Sequence, residues 1–437
     1  MNTISEQEAI PNYNSIKIAI WLYFFLWVFE GALRKWILPS LATPLLIVRD
    51  PVAIYIIIRA LYLNIKFVNP YVVLGSIFTL LGLVITLTFG HGNLFVGLYG
   101  ARIMLLHFPL IFIIGSVFTI EDVLKIGRIL LILNILITLI VYYQFTSPQS
   151  SFINVGIGGE GSAGFSGAMG YFRPSGTFSF TSGLSIFYSA VSVFIFYFWL
   201  SKESCSKILL YASTITLVIA LPLTISRGAV VSVAIVGLFA IIGSVTSVKM
   251  IIKILIISIV FYFLILVLQQ YSTLFNLSSE VFMHRVDAAN KSTGGGGFKD
   301  SIFLRILNDF TEPIVDLFNQ PIFAGNLGMG TNAGAQMLSG KTVFLVSETE
   351  FGRLAGEQGI IFGGGLIFLR IFLSISIAIK SWSLPQEDKL LPFIICGAAC
   401  AALAQGQWAQ PSILGFAIIM VGLVMASLKK EVEPFQK

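Results

Sequence analysis

The sequence predicts an all-α polytopic membrane protein of about twelve transmembrane helices, and three observations predict it. Of its 437 residues 56% are hydrophobic and 11% charged, with mean hydropathy +0.91; soluble domains carry roughly 25% charged residues. Apolar runs of about 17–22 residues, enough to cross hydrocarbon as helix, recur along almost the whole chain. Basic residues concentrate in alternate connections, the bias that orients membrane helices.

The first sixteen residues are polar and mixed in charge. The run from Ile18 to Leu38 is long, lacks a small-residue cleavage site and is followed by many more, so it reads as a retained helix and not a signal peptide. Spans fall at about 17–38, 43–62, 70–90, 99–119, 124–145, 179–200, 207–225, 228–246, 250–269, 357–379, 389–405 and 411–428. The second contains Arg49, Asp50 and Pro51, which mark either a broken start or an Arg–Asp pair near the interface. With the N-terminus inside, Arg59, Lys66, Lys125, Arg128, Lys253 and Lys380 all fall on cytoplasmic connections, and both termini are cytoplasmic. Arg34 and Lys35 are the main exception on the outer side.

This divides the chain into N-terminal helices (1–145), an outer Gly/Ser-rich loop (146–178), central helices (179–269), a large extracytoplasmic loop between helices nine and ten (270–356) and C-terminal helices (357–437). The large loop is far longer than an ordinary connection, so it is functional or partly structured. Within it Phe303, Ile306, Leu307, Phe310, Ile314 and Leu317 recur at helical spacing, the pattern of an amphipathic helix lying on the membrane or capping the bundle.

Net charge is +6 and the isoelectric point about 9.1. Orientation by cytoplasmic lysines accounts for this, and no nucleic-acid patch is visible. Three cysteines give no disulfide framework, and Cys396 and Cys400 sit one turn apart on an apolar helix, where packing is the simplest reading. His91, His107 and His284 are scattered and form no metal motif. GNLGMG (Gly325 to Gly330) follows no strand of a βαβ unit, so it is a poor nucleotide loop.

Arg227 is the most informative charge. It interrupts LVIALPLTISRGAVVSVAIVGLF, where an arginine at mid-membrane depth costs roughly 2.5–3.5 kcal/mol. Pro222, Ser226 and Gly228 suggest two helices meeting at a tight turn, with the guanidinium at the water boundary or in a polar cavity. Arg173, Arg285 and Arg305 fall on the same predicted face, as do Glu348, Glu350, Arg353 and Glu357. Guanidinium groups converging there make a phosphate or pyrophosphate grip, and a neighbouring carboxylate, Glu348 or Glu350, is a candidate general base. Simpler readings stand beside these. Arg173 and Arg305 snorkel to headgroups, Arg285 sits in a patternless loop, Glu348 and Glu350 are solvated, and Glu357 answers a helix dipole. Gln405, Gln407 and Trp408 suit a sugar site, or the indole is an interfacial anchor.

At RPSGTFSFTSG (173–183), SRGA (226–229) and the late outer loop with PIFAGNLGMG (321–330) and EQG (357–359), the chain resembles the O-antigen ligase/polymerase family of bacterial membrane glycosyltransferases. The resemblance covers roughly residues 170–365. It implies a fold of the GT-C type in the bacterial inner membrane and glycan donor and acceptor carried on undecaprenyl pyrophosphate, with neither metal nor nucleotide sugar. A flippase and a chain-length regulator are the implied partner proteins. Arg173, Arg227 and Arg305 would hold the pyrophosphate. Many ligases carry a His-Asn pair where this chain has Glu348 and Thr349, which favours a polymerase over a ligase and makes Glu348 the leading base, with Glu350 behind it. A secondary transporter for a small anion is the reading from another class; it expects two related halves, and no half-repeat is visible.

Overall fold

In a computed structural model of the protein the residues described are 13–159, 161, 164–245, 248–292, 317–340, 345–347, 349–385 and 388–429, with backbone only at 248 and 289–292. Among them the chain is almost entirely helical. Eight helical stretches are long and apolar enough to cross a membrane: Asn14–Ile37, Pro70–Thr88, Leu94–Val117, Ile120–Thr146, Thr181–Leu200, Arg227–Ser244, Lys249–Tyr271 and Glu350–Trp382. Lys207–Leu223, Leu390–Gln405 and Pro411–Ser427 are apolar but shorter.

In chain order the helices needed below are α1 (Asn14–Ala32), α2 (Asp50–Tyr62), α3 (Pro70–Thr88), α4 (Leu94–Arg102), α5 (Leu110–Val117), α6 (Ile120–Thr146), α7 (Thr181–Leu200), α8 (Lys207–Leu223), α9 (Arg227–Ser244), α10 (Val248–Tyr271), α11 (Thr273–Ser292), α12 (Asn332–Ser339), α13 (Glu350–Trp382), α14 (Leu390–Gln405) and α15 (Pro411–Ser427). The interior is built on α7 and α15, which are buried along most of their length, whereas α10 leaves its whole apolar surface outward. At the centre Trp27 packs against Phe178, Phe187 and Phe416 and donates its indole N–H to the Ser412 carbonyl at 2.8 Å.

Two boundaries differ from the sequence reading. The second span is broken: Pro39–Leu41 and Pro44–Ile47 form short 3₁₀ turns, leaving α2 only 13 residues. Pro39, Pro44 and Pro51 each remove a backbone donor, so a continuous helix cannot form across them. Arg49 and Asp50 also do not pair with each other. Asp50 binds Arg102 at 2.7 Å, and Arg49 lies 3.6 Å from Glu30.

The tenth span starts at Glu350, not 357, so the loop assignment of 350–356 is corrected. Thr349 caps α13 by accepting the Gly352 N–H, and the polar stretch after it becomes its first turns. The helix breaks at Gly359, whose φ of 78° is open to glycine and whose Cβ position would lie 2.7 Å from the carbonyls of Pro321 and Ile322. A long helix with polar first turns thereby enters the bundle, those turns offset at Gly359 from its apolar shaft.

The lead-in to α7 is held from α1. Lys35 donates to Ser175 Oγ (3.1 Å) and to the carbonyls of Gly176 (2.7 Å) and Phe178 (3.0 Å), while Thr177 Oγ1 donates to the Val28 carbonyl. Lys35→Met would leave Ser175 Oγ and the Phe178 carbonyl without that donor, at about 1–3 kcal/mol each before relaxation, and would leave the Gly176 carbonyl only its 3.4 Å contact with Gln144 Nε2. The expected result is a clear fall in the thermal unfolding midpoint of the protein in detergent micelles; an unchanged midpoint would contradict the role given to Lys35.

Candidate functional site

Three arginines from distant stretches meet at one end of the bundle. A hairpin of β1 (Phe165–Ala168) and β2 (Tyr171–Arg173) is antiparallel, with Phe165 opposite Arg173. Tyr171 stacks on Phe145 of α6 at 4.8 Å, which seats the hairpin on the bundle. Between α8 and α9 the chain turns through Pro222 and a buried Ile225 with φ of 47°, and Ser226 Oγ caps α9 by accepting the Ala229 N–H. Arg227 is therefore the first residue of α9, at a helix end and half-buried. Arg173 Nη2 reaches Ser226 Oγ at 3.5 Å. Arg285 donates from α11 to the Gly167 carbonyl at 3.0 Å, tying that helix to the hairpin.

Burial, then the charges of Arg285 and Arg227, push the Arg173 pKa down to about 10. The N-terminal end of α9 adds its own positive partial charge to these guanidinium groups. Arg173 Nε is buried without an acceptor among the described residues. Like charges gathered at a helix N-terminus are the arrangement that binds an anion. Arg285 was expected in a patternless loop; it is helical and completes this cluster. Arg305 lies outside the described residues.

Beside the cluster is a cavity of about 710 Å³, whose lining includes Arg34, Tyr99, Gln336, Thr349, Glu350 and Gln407. That size suits a ligand of a few rings. One wall carries Glu350 and Arg353, part of a buried, charge-balanced network on α13. Arg353 donates Nε to Glu350 Oε2 and Nη2 to Oε1, both at 2.9 Å, and Nη1 to Glu357 Oε2 at 2.6 Å. Arg370 donates Nη1 to Glu350 and spends its other donors on the carbonyls of Leu403 and Gly406, with its plane 3.9 Å from the Trp408 ring centre. Both Glu350 oxygens are thus taken by guanidinium donors. That makes Glu350 a positioning carboxylate, poorly placed to accept a proton from a substrate hydroxyl.

The start of α7 connects cluster and cavity. Ser185 Oγ lies 3.0 Å from Ser226 Oγ on the arginine side, and Ser182 Oγ donates to Gln410 Oε1 at 2.8 Å on the cavity side. Residues three apart on a helix are about 5–6 Å apart at Cβ. Phe165, opposite Arg173 across the hairpin, lines the cavity together with Phe180. The two features are neighbours.

Other expected residues resolve differently. Glu357 sits in the second turn of α13, fully buried, and accepts the Gly330 N–H at 2.8 Å as well as Arg353, so it is not a terminal dipole partner. Trp408 is buried and donates to the Ala402 carbonyl, which rules out an interfacial anchor. Gln407 lines the cavity and accepts from Gln410, whereas Gln405 does not line it. Glu348 lies outside the described residues. GNLGMG packs against α3 and α4: Gly328 has φ of 89° and a Cβ there would lie 2.1 Å from the Val96 carbonyl. Its glycines serve close backbone approach. Arg34, Tyr99, Arg370 and Gln410 were not anticipated. Arg370 had a readable signal, since it interrupts GGGLIFLRIFLSISI as Arg227 interrupts its own run.

Comparisons with protein-family models, curated proteins and solved structures found no match to this chain.

Two outcomes are expected. A base whose folded-state pKa is depressed costs folding energy throughout the range below that value, and the cost fades as pH rises through about 10 towards the ordinary arginine range. Arg173→Gln is therefore expected to raise the melting temperature of the ligand-free protein at pH 7, and a lower melting temperature would refute the cluster's repulsion. Glu350→Gln leaves Arg353 with Glu357 alone and Arg370 with no carboxylate among the described residues, at about 3–5 kcal/mol. Thermal unfolding should show that loss, with partial recovery in the Glu350→Gln/Arg370→Gln double variant.

Proposed function

We propose that the protein is a membrane glycosyltransferase that polymerises undecaprenyl-pyrophosphate-linked repeat units of a surface polysaccharide. The observation that carries this reading is the meeting of Arg173, Arg227 and Arg285 at one end of an apolar bundle, beside a cavity large enough for a few sugar rings. In this reading the chain crosses the bacterial inner membrane about twelve times in a GT-C-like arrangement. Both termini are cytoplasmic and the arginine end faces outward.

The donor's pyrophosphate sits on the arginines. An acceptor hydroxyl of a second lipid-linked unit attacks the anomeric carbon as the bond to the pyrophosphate oxygen breaks, with inversion. The leaving group departs as the undecaprenyl pyrophosphate anion, and guanidinium donors stabilise the charge that develops on it. The hydroxyl proton goes to a carboxylate, for which Glu348 is the candidate because Glu350 is committed to Arg353 and Arg370. Arg305 would join the grip from the large loop. Neither a metal nor a nucleotide sugar has a role in this scheme. The alternative within the same chemistry is a ligase that moves finished glycan to lipid A core or to a protein.

Arg227→Ala and Arg227→Lys are both expected to abolish long-chain glycan on a gel of cell polysaccharide at normal protein level, because lysine cannot reproduce a bidentate contact. Normal chain length in both variants would end the proposal. A deletion strain separates the alternatives: single repeat units on the final acceptor mark a polymerase, and long chains stranded on the carrier lipid mark a ligase.

A further inference from the structure

The cavity has a second cationic feature in its lining, apart from the α13 network. Arg34 follows α1, is 5% exposed and lines the cavity. Its Nε donates to the Ala42 carbonyl at 2.8 Å, and its Nη1 donates to Ser179 Oγ at 3.0 Å and Glu30 Oε1 at 3.3 Å. No described hydrogen bond uses Nη2. Glu30 does not neutralise Arg34 alone, because Arg49 Nη2 lies 3.6 Å from the other carboxylate oxygen. Two permanently charged guanidinium groups therefore face one carboxylate.

One further carboxylate, Asp50, acts on Arg49, but it is itself bonded by Arg102 and lies 3.0 Å from His107 Nε2, so among the described residues three guanidinium groups answer two carboxylates. Lys35 beside them bonds a hydroxyl and two carbonyls, all neutral. Arg49 spends Nη2 on the Pro411 carbonyl, and its Nη1 is buried without a hydrogen-bond partner among the described residues. The contrast with the α13 network is plain: there Arg353 and Arg370 meet Glu350 and Glu357, two charges of each sign. A buried cation that shares its counter-ion and borders an open cavity is costly unless a ligand answers it.

We propose that Arg34 is a second anion-binding residue, which takes an oxyanion of the molecule occupying the cavity, separately from the Arg173–Arg227–Arg285 cluster. The charges that act on Arg173 are those of Arg285 and Arg227, and Arg34 is not among them. The inference rests on the reading of this cavity as a substrate site and adds to it that the occupant there is charged. Its oxyanion belongs to a phosphoryl group or to the carboxylate of an acidic sugar.

The test titrates purified full-length protein in detergent micelles with inorganic pyrophosphate and, separately, with trigalacturonate, by calorimetry. The Arg173→Gln variant disables the cluster and is expected to keep binding one of the two anions. Adding Thr43→Glu should weaken that remaining binding at least tenfold. Thr43 is an exposed cavity-lining residue next to Ala42, so its carboxylate would compete for Arg34 while leaving every bond of Arg34 in place. Arg34→Gln should do the same, and Arg34→Lys should recover part of the binding. Retained pyrophosphate binding identifies a phosphoryl source; retained trigalacturonate binding identifies a sugar carboxylate. If Thr43→Glu changes nothing, or Arg173→Gln alone removes all anion binding, Arg34 is no anion contact and the glycosyltransferase reading still stands. If the wild-type protein binds neither anion, that reading falls and this inference with it.

Discussion

Every charge placed inside this bundle needs an answering charge or a set of dipoles, and that requirement organises the structure. Glu350 is the clearest case. It is held by Arg353 on its own helix and by Arg370 five turns further along, beyond the break at Gly359. Arg370 in turn ties α13 to the connection between α14 and α15, through the carbonyls of Leu403 and Gly406 and the face of Trp408. Glu357 ties the same helix to the Gly325–Gly330 turn. Four side chains thus fix three separate segments around one wall of the cavity. Removing one member leaves a buried charge, which is why such networks behave as units.

The same requirement reads differently beside α1. Lys35 is satisfied by the hydroxyl and carbonyls of residues 175–178, and Arg34 by Ala42, Ser179 and a shared Glu30. These contacts shape the RPSGTF segment and hold it against α1. Part of what makes that segment distinctive is therefore architecture: it is the path by which the hairpin bearing Arg173 is joined to α7. The arginine cluster brings like charges together with no carboxylate bonded to Arg173 among the described residues, and burial together with those charges depresses the Arg173 pKa.

Local chemistry explains which parts were readable. The turn at Ile225–Ser226 was legible because Pro222, Ser226 and Gly228 break helix and cap it in ways that depend on neighbours alone. The start of α13 was not, because Glu350, Arg353 and Glu357 look like loop residues until Arg370, thirteen residues past Glu357, supplies the missing cation. Arg285 was misread for a related reason. Its helix has a weak apolar pattern, and its significance lies in a contact with Gly167, more than a hundred residues earlier.

By itself the sequence determined that the chain builds helices long and apolar enough to cross a membrane, roughly where they run, and that Arg227 sits at a helix junction, because hydropathy, proline and capping act over a few residues. Tertiary structure alone decided which charges share a space. Arg173 with Arg285, Glu350 with Arg370 and Arg34 with Arg49 across Glu30 are set by how helices pack, and a Coulomb interaction depends on distance in space, which spacing along the chain does not encode.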